Sequence, residues 1–228
     1  MDGFFPEPAD KFISTDFLEK VRRKFHFGIE QTNRIRAAAE EMLPIIQEEA
    51  FSIRKAYSPD RKQLSKDAAI SYECVAMSLG KGVDILQEDY TKKGMLLESY
   101  IVEALAGELL MQGYDVYNHY VAEHTTLHVA RYHFPGSEAS FPLEMLPALL
   151  QNLTQNITCN AAFCMQPKKS VVFISELTQD ESVQCKAICI GCTNKSCPNR
   201  IEENSLIRKR TTDLPLTYGY SRIFGIVS

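Results

Sequence analysis

The sequence lacks any run approaching the ~18 consecutive apolar residues that a membrane-crossing helix needs, which excludes the plainest kind of membrane-spanning segment. It lacks a basic excess as well. Its 25 Lys and Arg face 29 Asp and Glu, a formal charge of −4, whereas a nucleic-acid footprint relies on clustered positive charge. The basic run Arg208-Lys209-Arg210 is short and fits a solvated loop. The opening Met1-Asp2-Gly3-Phe4-Phe5-Pro6 has neither a positive n-region nor a long apolar stretch, so the expected location is the cytoplasm, with no membrane and no nucleic acid among the partners. Sequons at Asn152 and Asn156 then have no secretory context. G-x-S-x-G, P-loop and GxGxxG patterns are all missing, which leaves hydrolase, nucleotidase and dinucleotide-binding readings without a motif. There is no internal repeat and no low-complexity segment.

What the chain has in concentrated form is cysteine. Four residues follow the pattern Cys185-x3-Cys189-x2-Cys192-x4-Cys197-Pro198, in a chain with seven cysteines in all. Thiolates are soft ligands that favour zinc, iron–sulfur clusters or Cu(I), and a C-x2-C step lets two converge on one ion with little chain to order. Cys185, Cys189, Cys192 and Cys197 are therefore the expected ligands of a zinc or iron–sulfur centre. The spacing matches neither the common ferredoxin run nor a zinc ribbon with its second C-x2-C about 15–20 residues away. Metal identity stays open, and disulfides within the cluster or free thiols are the competing readings. Cys74, Cys159 and Cys164 are expected to be buried thiols.

At 228 residues, 45% hydrophobic and 24% charged, the chain has the make-up of an ordinary globular protein. Three parts are expected: an N-terminal helical segment over residues 1–70, an α+β core over 71–180, and the cysteine cluster with its tail over 181–228. Apolar spacing predicts helix between positions 14 and 56. Phe17, Val21 and Phe25 mark the face of a first piece capped by Asp16. Ile35, Ala38, Ala39, Met42, Ile45 and Ile46 mark a second piece over 32–54, kinked at Pro44. Positions 57–66 are polar and loop-like, and 68–79 mix strand and helix signals until Gly80-Lys81-Gly82 breaks them. The strongest helix signal runs from 95 to 123, where Leu96, Leu97, Tyr100, Ile101, Ala104, Leu105, Glu108 and Met111 share a face. A strand over 129–134, a Pro135-Gly136 turn, a helix over 141–153, and strands over 157–163 and 170–177 follow. Strands gathered behind long helices predict an α+β fold, long helices packed on an antiparallel sheet.

Four motifs then stand in order. They are Met77-Ser78-Leu79-Gly80 with a variable acidic segment to Gly94; the long helix; Arg131-Tyr132-His133-Phe134-Pro135-Gly136 leading to Phe141-Pro142-Leu143-Glu144; and Met165-Gln166-Pro167-Lys168-Lys169-Ser170-Val171. This order resembles the activation domain of vitamin B12-dependent methionine synthase, especially its short stand-alone bacterial relatives. The resemblance implies long helices around an antiparallel sheet that binds S-adenosylmethionine. It also implies a partner, a corrinoid protein or B12-dependent methyltransferase, whose cobalamin is reduced from an inactive Co(II) form and remethylated. The family's arginine and Pro-Gly loop make Arg131, Pro135 and Gly136 the implied contacts to S-adenosylmethionine. A guanidinium suits the methionyl carboxylate bidentately, and a Pro-Gly turn permits close approach; the competing reading is a strand end and an ordinary turn.

The chain departs from the family at three points. Three residues rather than two separate the arginine from Pro-Gly, Ser137 replaces a tyrosine, and Met111 stands where many members carry an acid. These departures and the dense cysteines support a second expectation: a metal- or iron–sulfur-stabilised adaptor or redox protein of the same fold without S-adenosylmethionine binding. Glu98 and Glu103 on the long helix have the reach to bond a ligand amine or lie solvated. His119, His124, His128 and His133 fall close together, and Glu123-His124-x3-His128 would set two imidazoles a turn apart if the helix continued.

Overall fold

Ser14 caps the helix that starts at Thr15: its hydroxyl accepts the Phe17 N–H at 3.3 Å, the side-chain cap expected of Asp16. Asp16 lies instead in the first turn and Arg22, Arg23 and Lys24 in the last, each complementing the helix dipole. The computed structural model describes residues 12–60 and 71–180. That helix, α1 (Thr15–Lys24), buries Phe17, Leu18 and Val21, and α2 (Thr32–Glu49) buries Ile35, Ala38, Ala39, Met42 and Ile46.

Helix stops at Glu49, short of the expected position 54. Phe51, Ile53 and Tyr57 fall at even spacings, which puts them on one face of an extended chain, β1 (Phe51–Tyr57). The 1–70 segment is therefore not wholly helical: β1 pairs along its length with β2 (Ser71–Ser78), Phe51 opposite Ser78 and Tyr57 opposite Tyr72. A helix that the apolar pattern did not predict, α3 (Lys81–Lys92), follows. Its start depends on two glycines. Gly80 has φ +85°, and a side chain there would collide with Glu49, whose carboxylate accepts the Gly82 N–H at 2.7 Å. That carboxylate caps the positive end of α3.

The long helix α4 (Leu96–His124) has 29 residues and spans about 44 Å. It packs on α1, α2, α3, β2 and β3, so it is buried on several sides rather than along one stripe. Its buried Glu108 receives two ammonium groups from α1, Lys20 and Lys24, the latter at 2.6 Å. Then come β3 (His128–His133), a 3-10 turn (Leu143–Met145), α5 (Leu146–Leu153), a short hairpin of β4 (Thr158–Cys159) and β5 (Met165–Gln166), and β6 (Ser170–Thr178). The expected strand over 157–163 is thus only the two residues of β4. The tight turn that follows leaves the strand direction because Asn160 Oδ1 accepts the N–H groups of Ala162 and Cys164.

The main sheet is antiparallel in the order β1-β2-β6-β3. Alternation divides its two faces. Val75, Met77, Phe173 and Leu177 face the helices α1 to α4, whereas Tyr72, Cys74, Ala76, Val172 and Ile174 face α5. Phe173, fully buried, meets Tyr114, Tyr117 and Tyr132 with ring centroids 5.2–5.4 Å apart. The chain is an α+β protein with long helices on an antiparallel sheet.

Candidate functional site

Strand β3 contains an irregularity that decides which way its charges point. Val129 lies opposite Leu177, but Arg131 lies opposite Glu176, so β3 advances two residues while β6 advances one. Ala130 is the extra residue of a bulge. Val129 accordingly seats among the helices, while Arg131 and His133 lie on the α5 face with Glu176.

His133 is the buried centre of this group, its side chain 4% exposed. Nδ1 lies 2.5 Å from Glu138 Oε1, Nε2 lies 3.1 Å from Glu176 Oε1, and the ring stacks on Phe141 at 4.3 Å. The Nε2 contact lacks hydrogen-bond alignment. Tyr72 of β2 donates to the same Glu176 oxygen at 3.2 Å. Burial pushes the Glu176 carboxyl up, but His133, Tyr72 and Arg131 together hold it below the ordinary carboxylate value.

Arg131 is the outward member, its side chain 40% exposed. Its Nη2 is 3.9 Å from Glu138 Oε2, within ion-pair range and longer than a hydrogen bond. The Ser140 hydroxyl donates to that oxygen at 3.3 Å.

The Pro135-Gly136 turn beside Arg131 closes on itself. Gly136 N–H donates to the Phe141 carbonyl at 2.7 Å, Ser137 N–H to the Phe134 carbonyl at 2.9 Å, and Phe134 N–H to Ser137 Oγ at 3.3 Å. Proline has no N–H. The amide donors that such a turn might present to a ligand are thus engaged within it, and ligand contacts from this loop would fall to carbonyls and side chains. Gly136 holds φ +86°, with Leu143 Cβ 3.2 Å from where its own Cβ would stand.

Arg131 meets the loop that carries Pro135 and Gly136 through Glu138; Glu103 does not join them. Glu103 accepts from Gln87 at 2.9 Å and pairs with Lys169, which immediately precedes β6. Along β6 the rise from position 170 to 176 is roughly 20 Å, which separates Glu103 from the Arg131 group. Glu98 pairs with Arg34 at 3.1 Å.

Cys185, Cys189, Cys192 and Cys197 lie outside the described residues. Among the described residues no group of three or more His, Cys, Asp or Glu is arranged to hold a metal ion, and no helix is long and apolar enough to cross a membrane. Helix α4 ends at His124, with Thr125 extended, so His124 and His128 do not share a helical face. His124 instead stacks on Tyr120 at 4.3 Å. Cys74 is buried, and burial pushes its thiol up to about 12; Cys164, expected to be buried, is exposed at the β4–β5 hairpin.

A second polar network lies on the helical face. Arg54 Nη1 lies 2.5 Å from Glu73, Nη2 donates to Tyr120 Oη at 2.9 Å, and Tyr117 Oη meets Glu73 at 2.9 Å and Ser175 at 2.5 Å. Burial, with Glu73 beside it, pushes the Tyr117 hydroxyl well above its ordinary value, which suits a structural donor.

Sequence reasoning found Arg131 and missed His133, Glu138, Glu176 and Tyr72 as its surroundings. One usable signal was Glu176, an acid inside an otherwise largely apolar strand. No protein-family model matches this chain, and no curated protein matches it.

Proposed function

We propose that this chain is a methionine synthase activation domain-like accessory protein of the cytoplasm that binds S-adenosylmethionine at Arg131. In this role it assists the reductive reactivation and methylation of a corrinoid methyltransferase. The cobalamin belongs to the partner and supplies the reactive metal, while this chain binds and positions the methyl donor. The observation that carries the reading is Arg131 itself: a half-exposed guanidinium on a strand, beside a Pro-Gly turn, with a small-molecule carboxylate as its natural complement. The donor set fits that carboxylate and offers less to the rest of the ligand, because the turn's amides are engaged.

Calorimetry of the full chain with S-adenosylmethionine and S-adenosylhomocysteine tests the reading. Losing one partner of a charge-assisted pair costs about 1.5–3 kcal/mol, so Arg131→Ala should weaken binding by roughly ten- to a hundredfold. Equal binding by wild type and Arg131→Ala would remove it.

The engaged amides and the separated Glu103 favour a second reading: a zinc- or iron–sulfur-stabilised adaptor or redox protein of the same fold that does not bind S-adenosylmethionine. Metal and acid-labile sulfide analysis of anaerobically purified protein tests it. One centre held by Cys185, Cys189, Cys192 and Cys197, with Cys192→Ser lowering both metal content and stability, is the expected result. Metal-free protein with four freely titrating thiols there would sink it.

A further inference from the structure

Arg131 presents its guanidinium beside a carboxylate that is held in place. Glu138 Oε1 lies 2.5 Å from the buried His133 Nδ1, and His133 is in turn stacked on Phe141. Glu138 Oε2 takes the Ser140 hydroxyl at 3.3 Å and stands 3.9 Å from Arg131 Nη2. Both members of this loose pair remain partly open, with side chains 40% and 28% exposed. A carboxylate oxygen has two lone-pair directions, so Oε2 keeps acceptor capacity after Ser140 is bound.

Two ligand classes can be separated on charge. A ligand bearing only a carboxylate would gain Arg131 and meet the Glu138 charge beside it, and Glu138 is tethered to His133 rather than free to swing aside. A ligand with an ammonium next to its carboxylate gains both contacts, since opposite charges a few ångströms apart match the pair in sign and spacing.

We propose that Arg131 and Glu138 form a reader for the α-amino-acid head group, Arg131 taking the carboxylate and Glu138 the adjacent ammonium, with His133 as a positioning residue that aims Glu138. The inference rests on the S-adenosylmethionine reading of this site and names the part of the ligand it recognises. Ser140 adds a second tether, so the acceptor is set before the ligand arrives and little side-chain freedom is lost on binding.

Competition calorimetry on the full chain separates the possibilities, with S-adenosylhomocysteine as the primary ligand and L-methionine and 4-(methylthio)butanoate, which lacks the amine, as competitors. Glu138→Gln keeps an acceptor for His133 and removes the charge. It should weaken S-adenosylhomocysteine and methionine roughly three- to tenfold while binding the butanoate as well as or better than wild type. Glu138→Asp keeps the charge but draws it back, and it should fall between the two, with a thermal midpoint near wild type; it serves if the glutamine variant fails to fold. If Arg131→Ala weakens binding but both Glu138 variants bind the homocysteine as tightly as wild type or tighter, the head-group reader is overturned and the function proposed above stands. If no protein binds, or Arg131→Ala binds like wild type, both fall.

Discussion

The two faces of the central sheet are built to different standards. On the helical face, Phe173, Tyr114, Tyr117, Tyr132 and Phe134 form a continuous aromatic pile under a helix buried on several sides. On the other face, among the described residues, the two-turn helix α5 packs on β1 and β2, while Arg131, His133, Glu138 and Glu176 lie toward the β3 edge. Each face buries a glutamate, and the two are balanced differently. Glu108 is neutralised by the ammonium groups of Lys20 and Lys24, which arrive from outside on long stems. Glu176 is instead held from within the sheet, with the His133 ring at 3.1 Å and the Tyr72 hydroxyl donating to it at 3.2 Å. The helical face concentrates packing; the α5 face leaves Arg131 partly open to solvent.

If that contrast is real, the largest loss should come from the aromatic pile. Phe173→Ala removes a fully buried ring with four aromatic neighbours and should cost about 3–5 kcal/mol in urea denaturation. Next comes the double change of Lys20 and Lys24 to Met, which strands Glu108 in the interior. It should cost about 3 kcal/mol, and Glu108→Gln should cost clearly less because the freed lysines can return to water. A larger loss from the glutamine variant would reverse this account of which partner is captive.

The acid limb of the stability curve gives a smaller effect. Glu176 is held below its unfolded value of about 4.3, so its contribution is fully present above that pH and fades as the pH falls through the folded value. Urea midpoints measured from about pH 7 down to about pH 3 should therefore fall more steeply for wild type than for Glu176→Gln. Parallel curves would mean that His133 and Tyr72 do not favour the ionised acid. The smallest effect belongs to Arg131→Ala, an exposed ion-pair partner whose loss should change stability by less than about 1 kcal/mol. A larger drop would make Arg131 part of the scaffold and blur the distinction between the faces.

Much of the scaffold is legible in the sequence because it follows simple periods. The long helix is off by a single residue at each end of its expected range, and the strand over 170–177 by a single residue at its C-terminal end. β1 is missed because Phe51-Ser52-Ile53 continues the apolar spacing of α2 before its own two-residue period becomes apparent. The helix α3 is missed because its stop signal, Gly80-Lys81-Gly82, is also its start: the glycines make room for Glu49, a residue supplied by a different element. Arg131 is found through a motif, but its companions come from β2, β6 and the turn, and no local spacing connects Tyr72, Glu138 and Glu176.

The bulge at Ala130 works as a phase shifter. A regular six-residue strand would commit its odd positions to one face and its even positions to the other, so Val129 and Arg131 would be forced to share a medium. The inserted residue resets the count midway, and one short strand speaks two dialects, anchoring with Val129 where there is no water and presenting Arg131 where there is. Deleting Ala130 would restore the regular count while leaving composition almost untouched. Val129 and Arg131 would then be adjacent and still on opposite faces, opposite Leu177 and Glu176, so the anchor and the outward charge would both survive and only the local bend of the bulge would be lost.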